Sequence, residues 1–266
     1  MAHSLTDRAA HSEVPGRPNR PDLSTAAIRT AREDLAACFR MAARNGFEEG
    51  ICNHFSAVVP GNDDLFIVNP YGYAFRELTA SKLLICDFNG TVIEGDGTPE
   101  ATAFYIHAEI HRRLPRAKVA FHTHMRYATA LSMTDGPPLI WAGQTALKFY
   151  GRTAVDEHYN GLALDNREGA RIAEAAGDAD IVFMKHHGVL VLAPTSAEAW
   201  DDLYYLERAA EVQALAMSTG RTVSPVDPAI AEAAYRQMRE GDADSARAHL
   251  AAIRRQLDAE EPQYRH

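Results

Sequence analysis

From Ile28, apolar residues recur at three- and four-residue steps through Ala31, Leu35, Cys38 and Ala42, which predicts an amphipathic helix. Ser24 is placed to cap it and Asn45-Gly46 to end it. Short strand-like runs follow over Ile51–Val59 and Leu65–Asn69, separated by the turn Pro60-Gly61-Asn62. Leu83–Asp87 and Thr91–Ile93 flank Asn89-Gly90, a tight-hairpin signal. After a loop from Gly95 to Thr98, Pro99 fits the first turn of a helix that runs to Leu114 and is stopped by Pro115. Val119–Thr123 then reads as a strand and Arg126–Met133 as a short helix, before Gly136-Pro137-Pro138 breaks the pattern. Asp165 is placed to cap a helix over Asn166–Ala176. Ile181–Met184 and Val189–Leu192 are apolar runs of buried-strand type, and Thr195 opens a long helix to Thr219, closed by Gly220. Beyond it, one or two short amphipathic helices and a charged tail are expected. Hairpins mixed with helices imply a layered α/β or α+β domain with a mainly antiparallel sheet. Pro15, Gly16, Pro18 and Pro21 mark residues 1–23 as a flexible arm. The expected organisation is that arm, a domain over 24–221 and a helical extension over 222–266.

Composition narrows the class. The chain has 266 residues, 46% of them hydrophobic, which is enough to build a sizeable core. Lys and Arg total 27 against 36 Asp and Glu, and the net charge of -9 argues against nucleic acid as a partner. No apolar run approaches the roughly 18 residues of a membrane helix. Met1 to Leu23 lacks the apolar segment of a secretory signal, and cysteine usage without a disulfide framework makes a reducing cytoplasm the expected location. Three cysteines, Cys38, Cys52 and Cys86, form no CxxC pair and are read as small buried apolar residues.

Histidine carries the candidate chemistry. In Phe121-His122-Thr123-His124, a strand would turn His122 and His124 to one face, where two imidazoles can grip one metal ion. The plainer alternative is two polar residues at a strand end. Lys185-His186-His187-Gly188 lies between two apolar runs, and neighbours in an extended segment face opposite ways, so one of the two histidines is free to join the first pair. Three neutral imidazoles with an open position make a catalytic rather than a structural metal site. On the helix after Pro99, Glu100, Ala103, His107 and His111 form a stripe aimed at this metal, or else His107 and His111 face solvent and Glu100 stabilises the helix start.

Several of these pieces occur together and in order. They are Cys52-Asn53-His54-Phe55-Ser56, Asn69-Pro70-Tyr71-Gly72, Leu78-Thr79-Ala80-Ser81, Ile106-His107, Phe121-His122-Thr123-His124, His187-Gly188 and Leu206-Glu207-Arg208. Over roughly Ile28 to Gly220 the chain resembles the class II aldolase/adducin-like family. The resemblance implies a three-layer α/β/α fold around a mostly antiparallel sheet. It also implies one divalent metal per subunit (Zn, Mn or Fe) held by His122, His124 and His187. A homotetramer or other homo-oligomer, with active sites at its interfaces, is expected on the same ground. Asn53, Asn69 and Gly72 lie where the family's substrate loops lie, although turn chemistry alone accounts for Asn and Gly in such places. Tyr71, Tyr73, Phe75 and Trp141 either line an aromatic pocket or pack in the core, the latter preferred for Phe75 and Trp141.

Departures from the family pattern shape the functional expectation. Sugar-phosphate aldolases of the family carry a catalytic Glu four residues before the position of His107, where this chain has Ala103. Their phosphate-binding hydroxyl positions correspond here to Tyr71, Ala101 and Thr102. A metal-stabilised enolate serves both retro-aldol cleavage and decarboxylation, and decarboxylation needs no base, only a later proton donor. The expectation is therefore a divalent-metal lyase that cleaves or decarboxylates a small hydroxy- or oxo-acid, with Glu100, His107, Tyr71 or water as proton donor and Thr102 beside the substrate. Two alternatives stand beside it: a non-heme iron oxygenase acting on an aromatic 2-oxo acid, and a non-catalytic adducin-like binding module.

Overall fold

The computed structural model describes residues 22–266, so all but the last two residues of the expected arm lie outside the described residues. Helix α1 (Ala26–Asn45) buries Leu35, Cys38, Phe39 and Ala42. Its cap is Thr25, whose hydroxyl accepts from the Ile28 N–H, rather than Ser24, which bonds Asp22 instead. Gly46 closes the helix in the left-handed conformation that glycine adopts without strain.

Eight strands form one sheet: β1 (His54–Val59), β2 (Asn62–Val68), β3 (Leu84–Asp87), β4 (Val92–Glu94), β5 (Val119–Thr123), β6 (Thr153–Asp156), β7 (Ile181–Met184) and β8 (Gly188–Ala193). Their order is β4-β3-β2-β1-β5-β8-β7-β6. Every neighbouring pair is antiparallel except β6 and β7. The first strand begins at His54 rather than Ile51, and Cys52 is exposed, against its expected burial; Cys38 and Cys86 are buried. Strand β6 and the four-residue helix α4 (Gln144–Leu147) have no counterpart in the sequence reading, because segments this short carry no measurable periodicity.

Helices α2 (Ala101–Arg113) and α5 (Asn166–Ala176) cover one sheet face, packing Ile106, Ile110 and Ile172 on Ala120, Val182 and Leu190. The other face carries α1 and the long α6 (Ser196–Ser218), whose Trp200, Leu203 and Leu206 meet Phe55, Phe121, Val189 and Val191 in the larger core. This is the three-layer arrangement with a mostly antiparallel sheet. The short α3 (Arg126–Ser132) follows β5, and Glu207 of α6 accepts the Tyr127 and Ala128 N–H groups at 2.9 Å, fixing that turn.

Two further helices, α7 (Pro228–Arg239) and α8 (Asp242–Glu260), complete the chain. The expected charged tail is instead a packed turn, with Tyr264 fully buried and its hydroxyl donating to Asp258 at 3.0 Å. Buried charges tie α8 to the domain. Lys148 reaches Asp201, Asp202 and Asp242, while Arg152 bonds Asp202 at 2.5 Å and Asp180 at 2.7 Å.

Helix α2 approaches α5 closely at one glycine. A Cβ on Gly169 would lie 2.1 Å from the Tyr105 carbonyl oxygen. Gly169→Ala is therefore expected to force the helices apart and destabilise the protein by about 1–3 kcal/mol, measured as a shift in the urea midpoint at unchanged slope.

Candidate metal centre

The centre of the sheet brings three distant histidines together. Strand β5 lies between β1 and β8, and both neighbours are hydrogen-bonded to it. His122 pairs across the ladder with His54 on one side and Leu190 on the other. The β7–β8 turn, Lys185-His186-His187, delivers the third ring. His186 occupies the left-handed region at φ 58° and faces solvent, while His187 turns inward. The ring centroids of His122, His124 and His187 are 4.7–5.0 Å apart. One nitrogen of each lies within 4.8 Å of the others.

The protons of two rings are assigned by their partners. His122 Nδ1 donates to the Val189 carbonyl at 2.9 Å, and His124 Nδ1 donates to the Glu49 carboxylate. Both Nε2 atoms are then lone-pair sites in the neutral rings, yet they face each other at 3.1 Å. Two lone pairs cannot bond each other, so what joins them is a shared cation, a proton or a metal ion. The donor set therefore fits a divalent metal with imidazole ligands, and the Nδ1 contacts are of the type that orient such ligands. Burial, reinforced by neighbouring imidazoles, holds His122 well below its ordinary pKa. Burial, and then the His124 ring, lowers His187 to about 4. Neutral imidazole is the metal-binding form.

Other candidate residues divide into those beside this trio and those committed elsewhere. His107 and His111 are buried, not on a solvated face. His107 bonds His54 at 2.7 Å and also Ser56; His111 bonds Ser56 at 2.6 Å and the Ala117 carbonyl at 2.7 Å. Glu100 caps α2, accepting from the Ala103 N–H at 2.8 Å and from the Thr102 hydroxyl, so Thr102 is engaged there as well. Asn69 links the backbone of Phe55 and Asn53, both at 3.3 Å, which is a structural task. Gly72 has φ 90° in the turn that follows. Asn53 accepts from the Glu49 N–H at 2.7 Å, but its buried Nδ2 has no partner among the described residues. Tyr71 and Tyr73 are exposed, Phe75 is core, and Trp141 packs edge-on to Tyr150.

Sequence reasoning gave no role to Glu49, His54 or Ser56. The signal for the last two was present: in His54-Phe55-Ser56, the period-2 rule puts both polar residues on the face opposite Phe55.

A family model described as the Class II Aldolase and Adducin N-terminal domain matches residues 33–214, and the chain belongs to this family. A Caulobacter vibrioides protein named for aldolase class 2 is 36% identical over 194 residues, which is 72% of this chain and 74% of that protein. The 4-hydroxy-3-prenylphenylpyruvate oxygenase/4-hydroxy-3-prenylbenzoate synthase of Streptomyces roseochromogenus subsp. oscitans is 32% identical over 190 residues, 70% of this chain and 67% of that one. The solved structure of L-fuculose 1-phosphate aldolase from Glaciozyma antarctica superposes with a TM-score of 0.81 at 26% identity, covering 94% of this chain and 97% of that chain. The architecture is thus a class II aldolase fold.

Two predictions follow from this geometry. A Cβ on Gly188 would lie 2.6 Å from the Thr123 carbonyl oxygen and 2.8 Å from His124 Cδ2. Gly188→Ala is expected to spread β5 from β8, displace the His124 ring and cost about 1–3 kcal/mol; denaturation and zinc retention against a chelator read the two effects separately. The second concerns pH. Burial lowers His54 to about 3, His111 to about 4 and His107 well below its ordinary value near 6.5. Above the unfolded pKa neither state takes up these protons; below it only the unfolded chain does. Stability of the metal-free protein should therefore fall as pH drops from about 6.5 toward 4, by roughly 1 kcal/mol per pH unit for each such histidine, measured by urea denaturation between about pH 7 and pH 5.

Proposed function

We propose that the protein is a metal-dependent lyase that cleaves or decarboxylates a small hydroxy- or oxo-acid at the His122, His124 and His187 centre. The single observation that supports this most is the pair of lone-pair nitrogens of His122 and His124 turned toward each other at 3.1 Å. When bound, a divalent ion supplies Lewis acidity toward a carbonyl or carboxylate oxygen and the charge that develops on it. Everything else is the work of the chain. Glu49 and the Val189 carbonyl hold the two rings in one tautomer and orientation. The unpartnered Asn53 Nδ2 offers a hydrogen bond to an oxygen of the substrate. Ala103 leaves α2 without a carboxylate four residues before His107, and Glu109 of the same helix is paired with Arg112 and Arg113, so a reaction that requires deprotonation by a carboxylate of that helix is disfavoured relative to loss of carbon dioxide. Of the three proton-donor candidates, Glu100 is committed to capping and His107 is enclosed, whereas the half-exposed Tyr71 hydroxyl makes no hydrogen bond among the described residues. Tyr71 is the donor in this reading.

A second reading, an iron oxygenase on the same centre, is supported by the 32% identity to the Streptomyces protein named an oxygenase. Metal identity and oxygen dependence separate the two. Elemental analysis of the native protein should find about one divalent ion per chain, and His122→Ala should lose it while keeping the fold by circular dichroism. Turnover of 2-oxo or hydroxy acids without oxygen, with Zn or Mn loaded, supports the lyase; turnover only with iron and oxygen supports the oxygenase; no metal in the wild-type protein sinks both. Tyr71→Phe is expected to slow turnover about 100-fold without changing metal content.

A further inference from the structure

Four buried polar side chains, of which His54 lies against His122, make contacts that run in single file away from the histidine trio. The Ala117 carbonyl can only accept, so His111, 2.7 Å away, carries its proton on Nδ1 and leaves Nε2 as an acceptor. The Ser56 hydroxyl, 2.6 Å from that Nε2, must donate to it. With its proton so placed, Ser56 Oγ accepts from His107 Nδ1. His107 Nε2 is then the acceptor for His54 Nδ1 at 2.7 Å. For neutral rings a single arrangement of protons satisfies all four contacts. It leaves His54 Nε2 as a lone pair, and this atom makes no hydrogen bond among the described residues.

His54 is a cross-strand partner of His122, so both side chains emerge on the same sheet face. Their ring centroids are 4.8 Å apart at an interplanar angle of 34°. The chain ends at a backbone carbonyl, which neither gives nor takes a proton. It therefore cannot lead protons out of the site; what it can do is fix their direction.

We propose that the His111–Ser56–His107 file locks the tautomer of His54 and makes its Nε2 a built-in hydrogen-bond acceptor at the wall of the metal centre, suited to a small acid that bears a hydroxyl group. A hydroxyl presents a donor to this nitrogen. A carbonyl or carboxylate oxygen presents only further lone pairs and is disfavoured there. The choice of ligand rests on the metal-centre reading above and selects the hydroxy acids from the classes it admits; the lock itself does not depend on that reading. His54 contacts the ligand, and His107, Ser56 and His111 are positioning residues.

Long-range proton–nitrogen NMR of the metal-free protein with 15N-labelled histidine tests the lock directly. His54, His107 and His111 should all appear as Nδ1–H tautomers. Ser56→Ala should abolish the single tautomer at His107 and His54, and Ser56→Thr, which keeps the hydroxyl, should restore it. A wild-type His54 protonated on Nε2, or Ser56→Ala spectra with all three rings unchanged, overturns the proposal. The ligand class is tested on the zinc-loaded protein with glycolate and acetate, which differ by one hydroxyl. Glycolate should move the His54 Nε2 resonance and acetate should leave it in place; glycolate without effect overturns the hydroxy-acid assignment. Failure of the wild-type protein to bind zinc overturns that assignment together with the metal-centre reading, while the tautomer measurement still decides the lock.

Discussion

Imidazole has one proton and two nitrogens, and at the centre of this sheet the inward choices are made by fixed acceptors. The Val189 carbonyl takes the His122 proton and the Glu49 carboxylate takes that of His124. What remains is two lone pairs in confrontation, close to a third ring that burial keeps uncharged. Such a cluster is poorly satisfied by itself, because buried polar atoms need partners. The proposed chemistry grows from that deficit: a cation resolves it and in doing so becomes available to a substrate oxygen.

The sheet order is what creates the confrontation. Strands adjacent in space but far apart in sequence put β5 between β1 and β8, so residues near positions 54, 122 and 187 share one neighbourhood. Helix α2 then packs on the same face and contributes His107 and His111 from one stripe, with Ser56 of β1 completing the contact. Two histidine groups result, with different surroundings. One has its lone pairs turned toward each other; the other has each lone pair but the last filled by a neighbour's proton. Local sequence supplies both groups, and long-range pairing supplies the difference between them.

Much of this was legible in the chain. The strand Val119–Thr123, the helix opened by Thr195 and the Asn89-Gly90 hairpin follow from periodicity and turn chemistry, and they appear with nearly the expected bounds. The alternation in His122-Thr123-His124 was enough to put two rings on one face. The choice between His186 and His187 was not available from alternation; it came from resemblance, and in the structure it reflects the left-handed backbone at His186, which no residue pattern announced. The sequence leaves His111 between a solvated face and the interior, because a helix stripe gives spacing but not which layer lies above it; in the structure it is buried. Its partner Ser56 is 55 residues away, and only the pairing of β1 with β5 brings that strand under the helix. Strand β6 eluded the reading for another reason: its position is set by parallel pairing with β7, a tertiary fact without a local code.

Gly188 shows how the scaffold divides freedom from constraint. The Thr123 carbonyl occupies the space that any side chain at 188 would need, whereas the outer residues of the turn are unobstructed: the Lys185 ammonium reaches the Thr134 carbonyl at 2.7 Å and His186 is exposed. A bare backbone at one position thus sets the spacing between the inner ring of the turn and the neighbouring strand, and the turn's outer surface has no part in it.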